Sequence, residues 1–503
     1  MVSLVYLTNK KNGTVYVYIN EKVYDEEKRK EVYRRRCVGH VDPKSGKVLP
    51  NRTKRPSHSY SVESIGLNLL FGRLSSDIGL THALKIAFSE HWARILACAV
   101  YCVCSKEPLS EMTEWSKNNE NPTGKAVTPE EIKELMTSIG NNAIDSFFKI
   151  WNRKLGENDA MIFSMRCIDS YNRSLEESRF GVRLSQESFV SDYEMCYGKN
   201  SRLPMAYHYR STPLTNLQEI FDVKSRFPWM DMGSYTFLLS PESFTDETMK
   251  ELLDARYSYI AEIPNTADMA KDAIRRYRRG IVKNDIDREG QASERFYATI
   301  DTEVEGRTVH QHLFYNIAQE EMESAAFMNL IDKCRKELED GIVVVPHWEI
   351  YERYFSTVER EDGTVFFDLN AERIMEATES AGFKMVITDS DDGPVETTRW
   401  FDIRSDTSSL YDNLKNNKDN SSLRLYLAPN STSRDFIQFI ALILRSALRR
   451  RMSDTKLSEY FTAEDVIAAM STVHRIRMDN RKGAVTSEMN DDQEMIVNIL
   501  GLE

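Results

Sequence analysis

The stretch Arg226-Phe-Pro-Trp-Met-Asp-Met-Gly-Ser234 decides how the centre of the chain is interpreted. Apolar residues lead into a single carboxylate, Asp231, and a glycine follows two positions later. Residues 243–253 then have helical periodicity, so the stretch predicts a buried strand, a carboxylate at its carboxyl end, a turn and a helix. Ligands of open α/β sheets bind beyond the carboxyl ends of strands. Asp231 would there hold a metal ion or accept a proton, and the alternative is a turn aspartate that accepts hydrogen bonds from backbone amides.

The composition is that of a multidomain globular protein. The 503 residues suggest two or three domains, and 41% hydrophobic residues suffice for a sizeable core. No apolar run is long enough to span a bilayer, and the first residues lack the features of a signal peptide. The seven Cys have no paired CxxC spacing, which favours a reducing, cytoplasmic location over a disulfide framework or a zinc ribbon.

Charge is distributed unevenly along the chain. The net charge is −12, yet residues 1–60 carry 14 Lys and Arg against 6 Asp and Glu, so that segment is at +8 and the rest at −20. A basic module on an acidic body is expected where one part of a protein meets a polyanion, and a merely solvated basic surface is the alternative.

The first 50 residues predict a small β-rich unit. Residues 15–19 and 31–41 have strong β propensity. Arg34, Arg35 and Arg36 fall in the second of these strands, where Arg34 and Arg36 share a face. Two guanidinium groups at that spacing are suited to contact successive phosphates.

The middle of the chain predicts helices followed by an α/β core. Apolar periodicity and a Thr128-Pro-Glu-Glu capping box indicate helices from residue 61 to about residue 154. Strands are then expected at 161–169, 188–196 and 203–209, with a short helix at 216–223, the Asp231 strand, and a further strand at 256–263. This order predicts an α/β core that opens with a β-meander.

Residues 265–385 interrupt that alternation. They predict a hairpin from strands 295–302 and 308–317, a charged helix at 319–338, and His310 and His312 as a surface pair on one strand face. We interpret the block as an insertion packed beside the core.

The remainder predicts a return to the core. A buried strand ends in Asp389, helices begin near Arg399 and Ser433, the second of them ends in a basic run that includes Arg449, Arg450 and Arg451, and the tail is acidic. The predicted domains are a basic β-rich unit (1–57), a helical DNA-binding or linking domain (58–157), the first part of the core (158–264), the insertion (265–385), the last part of the core with its C-terminal helices (386–480), and the acidic tail (481–503).

The order of these motifs resembles the insertion-sequence transposases of the DDE superfamily, which have a retroviral-integrase-like, RNase H-like fold. The likeness is carried by Val38-Gly-His-Val-Asp-Pro-Lys-Ser-Gly-Lys47, by Trp229-Met-Asp-Met-Gly233, by the strand ending at Asp389, and most specifically by Phe436-Ile-Gln-Phe-Ile-Ala-Leu-Ile-Leu-Arg445. The resemblance implies an RNase H-like mixed sheet interrupted by a β-rich insertion. It also implies three carboxylates that hold Mg²⁺ ions for DNA cleavage and strand transfer.

The chain departs from the family at two of those three carboxylates. Ser164 stands where the first acid is expected, Asp231 keeps the second, and Ser408 replaces the third within a helical signature that retains Arg404 and Lys415. A serine hydroxyl is a poor substitute for a carboxylate on Mg²⁺. Asp389 is the candidate for a substitute ligand.

These observations predict a transposase-like protein that binds double-stranded DNA but has lost its chemistry. The DNA contacts would come from Arg34 to Arg36, Arg404, Lys415 and Arg449 to Arg451. The alternatives are an active metal-dependent transposase that uses a substitute carboxylate, and an interaction protein that has kept the fold without DNA binding. Whether the chain forms a homodimer is left open.

Overall fold

The structure is a computed structural model. It describes residues 2–25, 30–44, 46–50, 60–105, 107, 109–168, 190–210, 227, 230, 232–239, 241, 245, 250–252, 254, 257–281, 295–304, 307–359, 365–415, 431–478 and 484–502.

Seventeen strands are formed by the described residues. They are β1 (Val2–Thr8), β2 (Val15–Asp25), β3 (Lys30–Val41), β4 (Val48–Pro50), β5 (Tyr60–Ser64), β6 (Asp159–Ile168), β7 (Val190–Gly198), β8 (Pro204–Arg210), β9 (Ser234–Leu239), β10 (Ser258–Ile263), β11 (Arg295–Val304), β12 (Arg307–Asn316), β13 (Phe355–Glu359), β14 (Val365–Leu369), β15 (Phe383–Thr388), β16 (His474–Met478) and β17 (Ala484–Thr486).

The α-helices are numbered in chain order over the same residues. They are α1 (Gly66–Asp77), α2 (Leu80–Ala87), α3 (Trp92–Cys104), α4 (Met112–Asn118), α5 (Pro129–Ser138), α6 (Asn141–Leu155), α7 (Asp268–Ile281), α8 (Ile317–Glu339), α9 (Trp348–Tyr354), α10 (Ala371–Glu379), α11 (Pro394–Lys415), α12 (Ser431–Asp454), α13 (Ala463–Ser471) and α14 (Asp491–Leu500). None of these helices is long and apolar enough to cross a membrane.

The chain divides into two compact units. The first unit comprises Met1–Ser61 and Ile476–Val485, and the second comprises Val62–Arg475 and Thr486–Glu503. The first unit contains an antiparallel sheet in the order β1-β2-β3-β4, which confirms the two strands predicted there. Val17 is buried in this sheet, and a bulge interrupts the pairing of β2 with β3 between Val17 and Tyr18.

An eight-stranded mixed sheet forms the centre of the second unit, in the order β11-β12-β15-β10-β9-β6-β7-β8. Strands β6, β7 and β8 form the predicted antiparallel meander, and β9 and β10 continue it as parallel neighbours of β6. Three antiparallel strands continued by two parallel ones make this a mixed sheet. The predicted α/β class is therefore confirmed.

Helices cover both faces of this sheet. Successive residues of β6 point to opposite faces and are apolar on each, so both faces must be shielded from water. Ala160 and Ile162 belong to the main hydrophobic cluster, which also contains the buried sides of α1 to α6, α12, α13 and α14. Met161 and Phe163 belong to a second cluster on the opposite face, together with Trp400 of α11. The helices of residues 66–155 therefore share a core with the sheet.

The hairpin predicted within residues 265–385 is present, but its place in the fold was predicted incorrectly. Strand β12 pairs with β11 and also with β15, which in turn pairs with β10. The hairpin thus extends the central sheet because β15 offers it a free edge to pair with.

Residues 317–359 and 365–379 pack around a cluster of their own, and we call them the insertion lobe. The lobe contains α8, α9, α10 and the β13–β14 hairpin. Its buried residues are Phe327, Leu330, Ile331, Cys334, Ile350, Tyr351, Tyr354 and Phe355.

The described part of the acidic tail packs into the core. Helix α14 begins with a capping box between Asn490 and Gln493, and its Ile496 and Leu500 are buried in the main cluster. Its acidic residues therefore occupy the solvent side of an amphipathic helix.

Candidate functional site

Ser164 lies midway along β6, at the centre of the mixed sheet. Its side chain is exposed. Because successive side chains of a strand alternate between faces, Ser164 is on the side of Ile162, and Phe163 faces α11.

Ser408 is on α11, which covers the other face of the sheet. The preceding residue, Thr407, is within 2.8 Å of the Tyr197 hydroxyl of β7 and fixes the helix against the sheet. Ser408 itself is half-buried. The two serines that stand at the family's acid positions therefore do not share a face of the sheet.

The strand predicted to lead into Asp231 falls largely on residues outside the described part of the chain. Phe227 and Met230 are buried but are not in a strand, and β9 begins only at Ser234. The amide of Gly233 donates to the carbonyl of Asn158 at 2.7 Å, which places this turn beside the start of β6. Asp231 itself lies outside the described residues.

Strand register separates this turn from Ser164. Ser234 pairs with Asp159, and Ser164 is five residues further along β6. That spacing corresponds to about 16 Å along the strand. Gly233 and the start of β9 therefore lie at the Asp159 end of β6, away from Ser164, and the carboxylate at a strand end stays a prediction.

Asp389 is held by its own contacts at the end of β15. It accepts hydrogen bonds from the amide of Tyr259 at 2.9 Å and from Arg307 at 3.4 Å. Its side chain is 6% exposed, and burial raises the pKa of the carboxyl group despite those two contacts. Strands β10 and β9 lie between β15 and β6, a separation of about 14 Å at the usual strand spacing. Asp389 and Ser164 therefore cannot hold the same ion.

A different carboxylate lies directly beside Ser164. Glu194 of β7 pairs with Ser164, and His208 of β8 pairs with Glu194, so the three side chains form a row across three strands. Glu194 is 2% exposed. Sequence reasoning missed this row, although a glutamate between Tyr193 and Met195 in an apolar strand was a visible signal.

Arg404 of α11 belongs to a cluster of charged side chains. It pairs with Glu262 at 3.7 Å and lies over the ring of Phe401, with 5.2 Å to the ring centroid. Lys384 also pairs with Glu262, at 3.2 Å, and burial lowers the pKa of its ammonium group. The side chain of Lys415 lies outside the described residues.

Two of the three arginines at the end of α12 make contacts within the chain. Arg449 pairs with Asp406 of α11. Arg450 donates to the carbonyl of Ser201 at 3.2 Å. Arg451 is exposed. Arg449 and Arg450 thus have a packing role in the fold.

The arginines of β3 are positioned by the first unit. Arg36 is exposed and pairs through its backbone with Ile19, and Arg35 donates from Nε to Asn20 at 3.1 Å. The backbone of Arg34 pairs with Glu21, and its side chain lies outside the described residues.

The histidines of β12 differ from the predicted surface pair. His312 is buried and lies 2.9 Å from the Thr299 hydroxyl, whereas the more accessible His310 pairs with Asp301 at 2.7 Å. Burial lowers the pKa of His312. His312 lies against the buried Phe314, with 6.2 Å between the ring centroids, and this packing helps to remove it from solvent.

Comparison with known proteins gives likenesses to solved structures alone. No family model matches the chain, and no curated protein matches it. Among solved structures it is similar to piggyBac transposase in a synaptic complex with hairpin DNA. The TM-score is 0.29 at 7% sequence identity, over 81% of this chain and 78% of that chain. A likeness at this level says nothing about function.

Ser164 and Ser408 do not fit the pair of Mg²⁺ ions that the resemblance implies. Two positions offer neutral hydroxyls on opposite faces of the sheet, and Mg²⁺ requires near-octahedral oxygen ligands. Within the described residues, the one group of three His, Cys, Asp or Glu side chains close enough to share an ion lies in the insertion lobe.

Proposed function

We propose that this protein is a transposase-like DNA-binding protein that does not cleave or transfer DNA strands. The observation that carries the proposal is the basic sheet of the first unit. It forms a compact unit of its own, and it presents Arg36 to solvent on a chain whose remaining residues are strongly acidic. Exposed guanidinium groups on a basic module are suited to the phosphates of duplex DNA.

The geometry of the mixed sheet supports the absence of chemistry. In-line displacement at phosphorus by two metals needs both ions about 3.5–4 Å apart. Ser164 is on β6, Ser408 is on the helix α11 over the opposite face, and Asp389 follows β15, so they do not form such a site.

A metal-dependent nuclease is the second candidate, and Glu194 favours it. Glu194 is the cross-strand neighbour of the exposed Ser164. A carboxylate therefore lies beside the position at which the resemblance expects an acid. Its burial counts against this candidate, since a catalytic metal must contact the DNA phosphate.

Salt-dependent gel shifts of duplex DNA test the proposed binding. We expect affinity to fall steeply with salt. In the double variant Arg34→Gln, Arg36→Gln, the slope of log affinity against log salt should become less steep by about 1.8, because each phosphate contact contributes about 0.9. Arg35→Gln is the matched control, because Arg35 alternates to the other face and donates to Asn20.

Two results would contradict the proposal. Absence of salt-dependent binding by the unmodified protein would favour the interaction protein without DNA binding. Equal slopes for the double variant and the unmodified protein would remove β3 from the interface.

A further inference from the structure

Three side chains of metal-binding types meet inside the insertion lobe. Cys334 and Glu337 are three residues apart on α8 and so share one face of the helix. His347 approaches them from the short 3-10 helix Val345–His347. One ligand atom from each residue lies within 4.8 Å of the other two.

The local chain path explains how His347 returns to α8. The helix ends at Glu339, and Gly341, with φ of +70°, reverses the chain. The amide of Ile342 then donates to the carbonyl of Glu337 at 2.7 Å, and the 3-10 helix brings His347 back against the helix face.

The three residues are well shielded from solvent. Cys334 is fully buried, and the side chains of His347 and Glu337 are 4% and 13% exposed. Nδ1 of His347 lies 2.7 Å from Oε2 of Glu337, which also accepts a hydrogen bond from Tyr351. An outer partner such as Tyr351 is what orients a ligating carboxylate.

We propose that Cys334, Glu337 and His347 bind a zinc-class divalent metal ion. Thiolate, imidazole and carboxylate together are the ligands of borderline-soft ions, whereas Mg²⁺ and Ca²⁺ select oxygen. Ligands of a tetrahedral zinc ion lie about 3.5 Å apart, given zinc–ligand distances of about 2.0–2.3 Å. Side-chain rotations that move the ligand atoms by about 1 Å would bring them into that geometry. A water molecule would complete the site.

The ion would have a structural role, because the site is buried. It would tie residues 340–347 to α8. Packing contributes little to holding that segment, since Ile342, Val343 and Val345 are 55%, 54% and 81% exposed. The ion would thus fix a loop that exposes apolar side chains.

Titration of the reduced, metal-free, full-length protein with Co²⁺ tests the site. We expect one Co²⁺ per chain, with the thiolate-to-cobalt charge-transfer absorption of a cysteine ligand and the intense visible bands of a tetrahedral site. Zn²⁺ should displace the signal. Cys334→Ser should abolish the charge-transfer band, and His347→Asn should weaken Co²⁺ affinity by more than about tenfold, at least the cost of losing an outer-shell partner.

Matched variants separate this site from other thiols and imidazoles. Cys102→Ser in α3 and His310→Asn in β12 should leave the spectrum and the affinity unchanged. The proposal is overturned if the unmodified protein gives no charge-transfer band, or if Cys334→Ser retains it. If Cys334→Ser does not fold, wild-type affinity in His347→Asn or in Glu337→Gln overturns it equally.

Discussion

At Gly66 the backbones of two helices pack so closely that no side chain fits between them. Gly66 opens α1, and a Cβ atom added there would lie 2.0 Å from the carbonyl oxygen of Met470 in α13. We expect Gly66→Ala to lower the free energy of unfolding by about 1–3 kcal/mol, because the helices must move apart to admit the methyl group.

Gly72 in the same helix provides the control. The nearest atom to an added Cβ there is 4.0 Å away. Gly72→Ala should raise the free energy of unfolding by about 0.5–1 kcal/mol through helix propensity alone. Urea unfolding of both variants checks the pair, and equal effects would show that Met470 does not constrain Gly66.

Individual site residues could be predicted from the sequence only where a local pattern marked them. The serines at 164 and 408 were found by motif spacing. Asp231 was assigned to a strand end because the apolar residues before it resemble a strand. The described strand β9 begins only at Ser234, and Asp231 itself lies outside the described residues. Glu194 was missed because its significance comes from its cross-strand neighbours Ser164 and His208, and pairing register is not a local property.

At the scale of elements, α14 is the helix whose contribution is most easily tested. Ile496 is fully buried in the main cluster, while its neighbour Met495 is 40% exposed. Ile496→Ala should destabilise the second unit by about 2–4 kcal/mol through lost burial and a residual cavity. Met495→Ala should change stability by less than about 0.5 kcal/mol. Urea unfolding measures both, and a small effect of Ile496→Ala would mean that the helix is not part of the cooperative core.

Elements with strong local signals were predicted well. The capping box of α5, the charged helix α8 and the β11–β12 hairpin are all present. What could not be predicted was the attachment of the hairpin to β15, because the pairing partner lies about 70 residues away. The same limit applies to α14, whose buried face became evident only with its partner helix α13 in place.

For the whole molecule, the sharpest question is whether any metal-dependent chemistry remains. We expect no nicking of supercoiled DNA in Mg²⁺ or Mn²⁺, because the described acids near the mixed sheet do not converge on two ion positions. Conversion of supercoiled to relaxed DNA on a gel measures this. Nicking by the unmodified protein that is lost in Glu194→Gln would establish the second candidate function.

The order in which the chain is made matters for a fold whose first unit is discontinuous. That unit combines Met1–Ser61 with Ile476–Val485, which are synthesised about 400 residues later. At roughly 5–20 residues per second, the nascent first unit waits about 20–80 s on the ribosome for its last segment. The four-stranded sheet β1-β2-β3-β4 lies within residues 2–50, so its strands are all available during that interval. We therefore expect the first unit to form in two steps, with this sheet assembled well before Ile476–Val485 joins it.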